Sequence, residues 1–483
     1  MPIDAKHPEY TKYAPMWKKS RIVMEGEEAV KSAGTEFLPR LSEQTSEEYA
    51  AYRERALFFA AAGRTREALV GSIFAVTPVY TFPTSQESIL KQVTRDGRSI
   101  ETFSVKVVEE LFTTGRYGVL CDTDKSGVRP FLAGYAAECI YNWRTKMVNG
   151  VEVLTMVVLE EESFEPKDEF DTEPSCKLRY LFLDPQTGAY TVRLYKKASK
   201  SEQSATKSEW VPEGEDVNPT LRGQKISVIP FTFYGVRDLS SCPHRPPMQD
   251  VVNVNISHYR TSADLEHGRH YTALPTPWAA GFDKKSSLYL GSSKAWVSED
   301  PGASCGFLEF QGQGLGALEN GLKEKQHMMA VLGSRLLEGD KNAVEAADTM
   351  RVKRASERSV LAQVANNVGE GLRTSLEYLR DWAGAAGDVD AEFNDDFDES
   401  SLTPEMLAQL MAQVQAGMLS WKTYFYNVKR GNLLPDDRTE EDEQGLIEMG
   451  MPISPTSTLG LDIMDRAAMA QQQEGAVDPN AQA

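Results

Sequence analysis

Cysteine is scarce in this chain of 483 residues, and the few cysteines are scattered. None belongs to a Cys-x-x-Cys pair, and their number is odd. A disulfide framework or a zinc site would need paired or clustered cysteines. The composition therefore predicts reduced thiols in a cytosol-like compartment. The five cysteines are Cys121, Cys139, Cys176, Cys242 and Cys305.

Long apolar runs are also missing. No stretch approaches the roughly 18 consecutive apolar residues that a transmembrane helix needs. The N-terminal segment lacks the apolar region of a signal peptide. We therefore predict no association with a membrane.

Motifs that bind nucleotides or carry out catalysis are absent as well. The sequence has no G-x-x-x-x-G-K-[ST] loop, no G-x-S-x-G elbow and no kinase signature. Gly312, Gly314 and Gly316 precede a predicted helix, but their spacing fits neither a P-loop nor a dinucleotide-binding loop. We therefore predict a protein that is not an enzyme and needs no cofactor.

Positive charge is in short supply. Lysine and arginine number 52 against 71 aspartates and glutamates, and the formal net charge is −19. A simple nucleic-acid clamp would carry a basic face. An acidic wall repels phosphate, so the balance still permits a protein that lets DNA pass without gripping it.

The central stretch, Pro246 to Trp382, has the most definite pattern. Pro246–His270 and Leu315–Glu338 are predicted helices, and Tyr271–Gly314 between them is rich in glycine and proline. Gly339–Asn342 is a turn by composition. Val344–Trp382 is predicted as one long helix, which would extend about 58 Å. Such a series indicates a scaffold that places a protrusion far from its body.

The segments around this stretch predict an α+β fold. Four helices are expected in the N-terminal part, at Glu25–Ala33, Glu47–Phe74, Ser85–Val93 and Ile100–Thr113. Strands are expected at Tyr117–Cys121, Phe131–Tyr135, Val151–Leu159, Lys177–Leu183, Ala189–Tyr195 and Ile226–Phe233. In the insert of the central stretch, short β-like runs lie at Ser287–Leu290, Ala295–Ser298 and Gly306–Phe310.

Charge and composition mark several loops and a C-terminal helical part. The segment Glu160–Glu173 carries eight carboxylates against one lysine, and we expect a solvated loop there. Ala198–Gly214 is expected to be another exposed loop. An edge strand is predicted in Ala391–Glu399, followed by helices at Glu405–Ala416, Ser420–Lys429 and Glu440–Met449.

Histidines and carboxylates offer two alternatives based on metal ions. His258 and His267 fall on opposite faces of a helix, and His267 and His270 lack H-E-x-x-H spacing. The run Asn394–Glu399 has oxygen ligands but no glycine of an EF-hand loop. A metal-dependent hydrolase built on the region His258–His270 and the acidic loops therefore stays as an alternative function, and surface or interface histidines are the favoured interpretation.

A basic cluster lies in the first half of the predicted long helix. Arg351, Arg354 and Arg358 share one face at helical spacing, near Lys341. The cluster is typical of a solvated or inter-subunit ion-pair face, and contact with a polyanion is the functional alternative. Beyond it, Leu361, Ala365, Val368, Leu372, Leu379 and Trp382 form a predicted packing seam.

Taken together, a series of short motifs resembles the portal proteins of tailed bacteriophages, a family formerly catalogued as a phage domain of unknown function. Their order along residues 5–445, more than any single motif, carries the resemblance. The motifs are His7-Pro8-x-Tyr10, Gly26-Glu27-x-Ala29-Val30-Lys31, Phe37-Leu38-Pro39-Arg40-Leu41, Glu48-Tyr49-x-x-Tyr52-x-x-Arg55-Ala56, Ile229-Pro230-Phe231, Asn255-Ile256-x-His258-Tyr259-Arg260-x-Ser262-Ala263-Asp264, Leu274-Pro275-Thr276-Pro277, Ser420-Trp421-Lys422-Thr423-Tyr424 and Leu434-Pro435-Asp436-Asp437.

The resemblance implies a ring, usually of twelve subunits, around a DNA channel at one capsid vertex. It divides the chain into a wing (1–245), a stem helix (246–270), a clip (271–314), a second stem helix (315–338), a channel loop (339–345), a long wing helix with a return strand (346–399), a crown (400–450) and a flexible tail (451–483). The channel candidates are Lys341, Asn342, Arg351, Arg354 and Arg358.

The implied partners follow from the same family. They are further copies of the chain, double-stranded DNA in the channel, the terminase motor, the head–tail adaptor, and the major capsid and scaffold proteins. The implied location is the virion, after assembly in the host cytoplasm, with roles in genome packaging, head–tail joining and DNA ejection. A structural virion protein without a channel stays open beside the metal-dependent hydrolase.

Overall fold

A computed structural model of the chain describes residues 2–123, 129–198, 209–273, 276–282, 288, 295–308, 314–337, 360–395, 397, 404–430, 434 and 438–449. The chain divides into two compact units, residues 1–397 and residues 398–483. Helices and antiparallel sheets share the first unit, which confirms the predicted α+β class.

The α-helices are α1 Pro8–Glu25, α2 Glu27–Ser32, α3 Ser46–Arg55, α4 Ala61–Ile73, α5 Ile100–Thr114, α6 Gln249–Ala273, α7 Leu315–Leu337, α8 Val360–Ala383, α9 Pro404–Gln415, α10 Trp421–Arg430 and α11 Glu440–Met449. Short 3-10 helices lie at Gly34–Glu36, Thr84–Gln92 and Ala137–Cys139. The three C-terminal helices, α9 to α11, lie where the sequence predicts them.

The strands are β1 Val79–Thr81, β2 Arg116–Thr123, β3 Pro130–Ala136, β4 Ile140–Val148, β5 Val151–Pro166, β6 Thr172–Leu183, β7 Tyr190–Lys197, β8 Trp210–Val217, β9 Thr220–Leu221, β10 Gln224–Lys225, β11 Phe231–Gly235, β12 Thr276–Ala280, β13 Ser304–Leu308 and β14 Asp390–Glu392. A three-stranded sheet has the order β11-β2-β3, and a five-stranded sheet has the order β4-β5-β6-β7-β8. Three two-stranded pairs, β1-β14, β9-β10 and β12-β13, complete the described sheets.

The main core forms where α1, α3, α4, α5, α6 and α8 meet beside the three-stranded sheet. Helix α8 contributes a continuous buried stripe, and the predicted seam residues from Leu361 to Leu379 all lie in it. Its two glycines are close-packing positions. A Cβ at Gly371 would lie 2.4 Å from the Tyr234 ring, and one at Gly369 would lie 2.6 Å from the Ala391 carbonyl oxygen.

The expected single helix Glu47–Phe74 is wrong, because the chain leaves the helical path after Arg55 and resumes it at Ala61. Asn255 of α6 stabilises this break and is fully buried. Its amide nitrogen donates to the Phe59 carbonyl at 2.8 Å, and its amide oxygen accepts from the Ala62 N–H at 3.0 Å. A distant side chain therefore satisfies the backbone groups that the break leaves open.

Two expected loops are also wrong in part. Most of Glu160–Glu173 belongs to the long strands β5 and β6, and only residues 167–171 form the turn between them. A chain dense in carboxylates can form strands here because water reaches the side chains of the hairpin. In Ala198–Gly214, the part from Trp210 belongs to β8, while residues 199–208 lie outside the described residues.

Candidate functional site: the paired helices and their insert

The predicted DNA-contacting residues come between α7 and α8 in the sequence. Lys341, Asn342, Arg351, Arg354 and Arg358 all lie outside the described residues. The candidate site is therefore built from what precedes and follows them. These parts are α6 and α7, here called the paired helices, the insert of residues 274–314 that joins them, and α8.

Helix α6 is rooted in the core by its first half. Its predicted position is confirmed, with a start at Gln249 and an end at Ala273. The start lies beside Gly115, which has a left-handed conformation (φ 76°) and whose missing Cβ leaves room for the backbone of residues 244–246. Buried side chains continue as far as Leu265, whereas residues 266–273 are half-buried or exposed. The last two turns, about 12 Å of helix, therefore project beyond the core.

Helix α7 runs antiparallel to α6 and is held to it by polar contacts. The Lys325 ammonium donates to the Ser257 carbonyl at 3.3 Å and to the Thr261 hydroxyl. Near the projecting end, the Arg269 guanidinium donates to Glu319 at 2.8 Å. The exposed Arg269–Glu319 ion pair stabilises by about 1 kcal/mol or less, so it contributes more to the register of the two helices than to their stability.

Gly268 allows the helices to approach closely at that end. A Cβ at this position would lie 2.6 Å from a methyl carbon of Leu315. An open and mostly apolar cleft of about 470 Å³ lies at this crossing. It is lined by Asp264, His267, Gly268, Tyr271, Gly314, Leu315 and Leu318. The cleft marks the joint between the paired helices and the insert.

The histidines of α6 do not assemble a metal site. His258 faces Phe59 and α7, where its Nε2 lies 3.3 Å from the Gln326 amide nitrogen. His267 lies between the rings of Tyr52 and Tyr271, at centroid distances of 5.1 and 4.8 Å. Across the described part of the chain, no three His, Cys, Asp or Glu side chains are grouped to hold a metal ion. The geometry therefore gives no support to the hydrolase alternative.

Burial sets the protonation of these histidines. It lowers the pKa of His258, and the neighbouring Lys325 lowers that pKa further. It also lowers the pKa of His267, with Arg55 acting in the same direction. Both imidazoles are therefore expected to be neutral at physiological pH.

The described part of the insert is a small antiparallel β-pair. Strands β12 and β13 pair from Thr276 opposite Leu308 to Ala280 opposite Ser304. The expected β-run Gly306–Phe310 overlaps β13, but Ala295–Ser298 is not a strand, and Ser287–Leu290 lies almost wholly outside the described residues. The sequence does not predict β12. Its first two residues, Thr276 and Pro277, belong to one of the motifs that carry the family resemblance.

The insert presents apolar side chains to solvent. Trp278, Val297 and Phe307 are 44%, 82% and 55% exposed. Gly306 allows the Trp278 ring to lie across β13, because a Cβ there would approach the indole nitrogen to 3.1 Å. Exposed aromatic side chains on a small projecting element are typical of a contact surface for another protein.

Helix α7 exposes most of its surface. Among its residues whose side chains the structure describes, only Met329 and Gly333 are buried. Met328 is 46% exposed. Leu318, Leu322 and Leu332 are half-buried; Leu318 lines the cleft beside α6, and Leu332 packs against the main core. The face of α7 that carries Met328 is therefore open to solvent in a single chain.

No helix in the described ranges has both the length and the apolarity to cross a membrane.

Comparison with protein families gives one match, and it falls on this site. Residues 247–383 match a family described as "Domain of unknown function (DUF4055)". The match covers the paired helices, the insert and α8, and it confirms the predicted family resemblance over these residues. Curated proteins give no significant match.

Three solved structures of gene transfer agent (GTA) particles contain similar chains. A chain in the virion of the native GTA particle is 13% identical, with 81% of this chain and 96% of that chain covered and a TM-score of 0.35. A chain in the neck of the empty particle, computed with C6 symmetry, is 14% identical (77% and 90% covered, TM-score 0.33). A chain in the neck of the native particle, computed with C12 symmetry, is 14% identical (78% and 90% covered, TM-score 0.34).

Proposed function

We propose that the chain is a phage-type portal protein, which forms a ring at one capsid vertex and lets double-stranded DNA pass during packaging and ejection. One observation carries the proposal. An antiparallel helix pair, rooted at one end in the core, bears a β insert at the other end and is followed along the chain by a long buried helix. This is the series of stem, clip, stem and wing helix that the family resemblance implies.

The exposed surface of α7 supports an assembly of several copies. Residues 326–328 of α7 are exposed in a single chain, Met328 by 46%. This apolar side chain on an exposed helix face favours contact with a further protein surface. In a closed ring, each α7 would lie against the paired helices of a neighbouring copy.

The charge balance supports a channel that DNA can pass through. At −19 per chain, a ring of twelve would carry a large negative charge and would repel phosphate. In this proposal Lys341 and Asn342, in the channel loop, together with Arg351, Arg354 and Arg358, would make a few weak contacts with the DNA backbone. Each such contact contributes modest affinity that falls as salt rises.

The proposed partners follow the same division of the chain. The exposed aromatic side chains of the insert, Trp278 and Phe307, would meet the terminase motor during packaging and the head–tail adaptor afterwards. Residues 1–245 would contact capsid and scaffold proteins as the virion assembles in the host cytoplasm. Residues 400–450 would form the crown.

Mass photometry with negative-stain imaging of the purified chain tests the proposal. We expect a ring with a central hole and a mass near twelve times the 53.7 kDa chain. A monomer with metal-dependent hydrolytic activity would overturn the portal function. An assembly without a hole would instead favour a structural virion protein that has no channel.

Substitution of the channel loop tests the DNA contact separately. Lys341→Ala is expected to leave the ring intact and to alter DNA packaging or retention, because it removes one phosphate contact per subunit. Ring formation is read by imaging, and retention is read as the DNA content of filled particles. Unchanged packaging and retention would reject the proposed role of Lys341.

A further inference from the structure

The hairpin between β5 and β6 extends beyond the sheet to which it belongs. Pairing of β4 with β5 ends at Ile140 opposite Leu159, whereas β5 continues to pair with β6 as far as Pro166 opposite Thr172. We call residues 162–176 the acidic arm. Its five pairs, from Glu162 opposite Cys176 onwards, extend for about 17 Å.

The base of the acidic arm is fixed by a charged network. The Arg179 guanidinium donates to Glu161 at 2.6 Å and to Asp122 at 2.7 Å. The Tyr135 hydroxyl donates to the same Glu161 carboxylate at 2.6 Å. Since Asp122 and Tyr135 belong to the three-stranded sheet, these contacts join the two sheets where the arm begins, and they set its direction.

The tip of the arm is an ordered turn. One Asp168 carboxylate oxygen accepts from the N–H groups of Phe170 and Asp171, both at 2.8 Å. The Lys167 N–H donates to the Asp171 carbonyl at 2.9 Å. These contacts present Phe170 at a defined position, with 92% of its surface exposed. Phe164 on β5 is 77% exposed.

The arm combines this apolar surface with negative charge. Residues 162–173 hold six carboxylates and a single lysine, Lys167. That lysine lies 3.5 Å from Asp171 and 3.8 Å from Glu173 in exposed pairs, which water screens. Most of the negative charge is therefore available to a partner.

Two prolines decide how a partner could bind. Pro166 and Pro174 lie in the two strands of the arm and cannot donate ladder hydrogen bonds. Prolines and charges on a strand disfavour the addition of a further strand from another chain. Recognition through side chains is therefore favoured over recognition through the strand edge.

We propose that the acidic arm docks into a basic surface of another protein that offers an apolar pocket for a phenyl ring. The carboxylates would pair with lysine and arginine, and Phe164 and Phe170 would enter the pocket. DNA and anionic membranes do not fit, because their phosphates would be repelled. The inference goes beyond the proposed portal function and does not depend on ring formation.

Fluorescence anisotropy with two labelled peptides and the full-length chain tests this docking. One peptide alternates lysine and arginine with leucine and phenylalanine, and the other carries serine at the apolar positions. The arm variants are Phe164→Ala/Phe170→Ala and Glu162→Gln/Glu169→Gln/Glu173→Gln. The matched controls are Met147→Ala/Val151→Ala, exposed on β4 and β5 at the end of the hairpin opposite to the arm, and Glu25→Gln/Glu54→Gln/Glu67→Gln, exposed outside the arm.

We expect the wild-type chain to prefer the apolar peptide by about tenfold or more, and we expect added salt to weaken binding. The double phenylalanine variant should bind both peptides with equal affinity. The arm carboxylate variant should bind each peptide about tenfold more weakly than the wild-type chain does. Both control variants should bind each peptide with an affinity within about twofold of the wild-type value. All the substituted side chains are exposed, so thermal unfolding should be unchanged.

Three results would overturn the proposal. The first is that the wild-type chain binds neither peptide. The second is that the control carboxylate variant weakens binding as much as the arm variant does. The third is that the apolar preference persists without Phe164 and Phe170. If the double variant changes the fold, the single variant Phe170→Ala, at the turn, is tested for the same loss of preference for the apolar peptide.

Discussion

The two paired helices look alike in sequence but differ in what surrounds them. Helices α6 and α7 have 25 and 23 residues, and neither contains proline. The first half of α6 is buried, with fully enclosed side chains such as Asn255 and Tyr259. Helix α7 buries only Met329 and Gly333 among its described side chains.

This difference assigns the two helices separate roles. Helix α6 is part of the core, because its side chains pack against α3, α4 and α1 and stabilise the break between Arg55 and Ala61. Helix α7 contacts α6 through Lys325, Gln326 and Glu319, and its C-terminal part packs Met329 and Leu332 on the main core. The paired helices are thus rooted in the core through α6, and α7 carries the exposed side chain, Met328, that would face a neighbouring copy in the proposed ring.

The largest effect is expected from Tyr259 on the buried side of α6. Tyr259 is fully buried, and its ring meets Phe58 edge-on at a centroid distance of 5.9 Å. Tyr259→Ala should lower the free energy of unfolding by about 3–5 kcal/mol, because it removes the packing and leaves a cavity. Urea unfolding of the purified chain measures this change.

Tyr259→Phe is the matched control. Within the described part of the chain, the Tyr259 hydroxyl is buried without a hydrogen-bond partner. Its removal should therefore leave stability unchanged or slightly raised, since a buried unpaired polar group is unfavourable. A large loss in Tyr259→Phe would show that the hydroxyl, and not the ring, secures α6.

A smaller effect, dependent on pH, is expected at His258, where the two helices touch. Its pKa is lowered by burial and by Lys325, so below the unfolded value near 6.5 the unfolded chain binds a proton that the folded chain does not. Stability from this group is therefore present above pH 6.5 and lost as the pH falls below it. The slope is at most about 1.4 kcal/mol per pH unit.

Comparison of wild type with His258→Gln isolates this contribution. His7 and His267 also have pKa values lowered by burial, so only the difference between the two chains belongs to His258. Between pH 7 and pH 5.5, the variant should lose less stability in urea unfolding than wild type. Equal losses would mean that His258 is accessible to protons in the folded chain.

The spacing of apolar residues is sufficient to predict those elements that are determined by their own sequence. The paired helices and the buried stripe of α8 lie where apolar spacing placed them, because a helix that packs on a core needs that spacing. The position of β12 opposite β13 needed a partner strand from 24 or more residues away, which spacing alone does not supply.

Other elements depend on contacts that the sequence does not display. The break after Arg55 rests on Asn255, almost 200 residues further along the chain. The acidic arm forms strands because Arg179, Tyr135 and Asp122 hold its base, although its composition alone indicates a loop. Helix α1 begins with Pro8 at a favourable first position and contains Pro15, which periodicity arguments treat as a breaker.

The smallest effect on the single chain is expected at Met328 on the exposed face of α7. This position is also the sharpest test of the difference between α6 and α7. Met328 is 46% exposed, so Met328→Glu should change the free energy of unfolding by no more than about 0.5 kcal/mol. In a ring, however, the new carboxylate would be buried against a neighbouring copy, which is costly. Mass photometry should therefore show fewer complete rings, while Met147→Glu, exposed on β4, should assemble as wild type does. Equal assembly of both variants would place the contact between copies elsewhere than on α7.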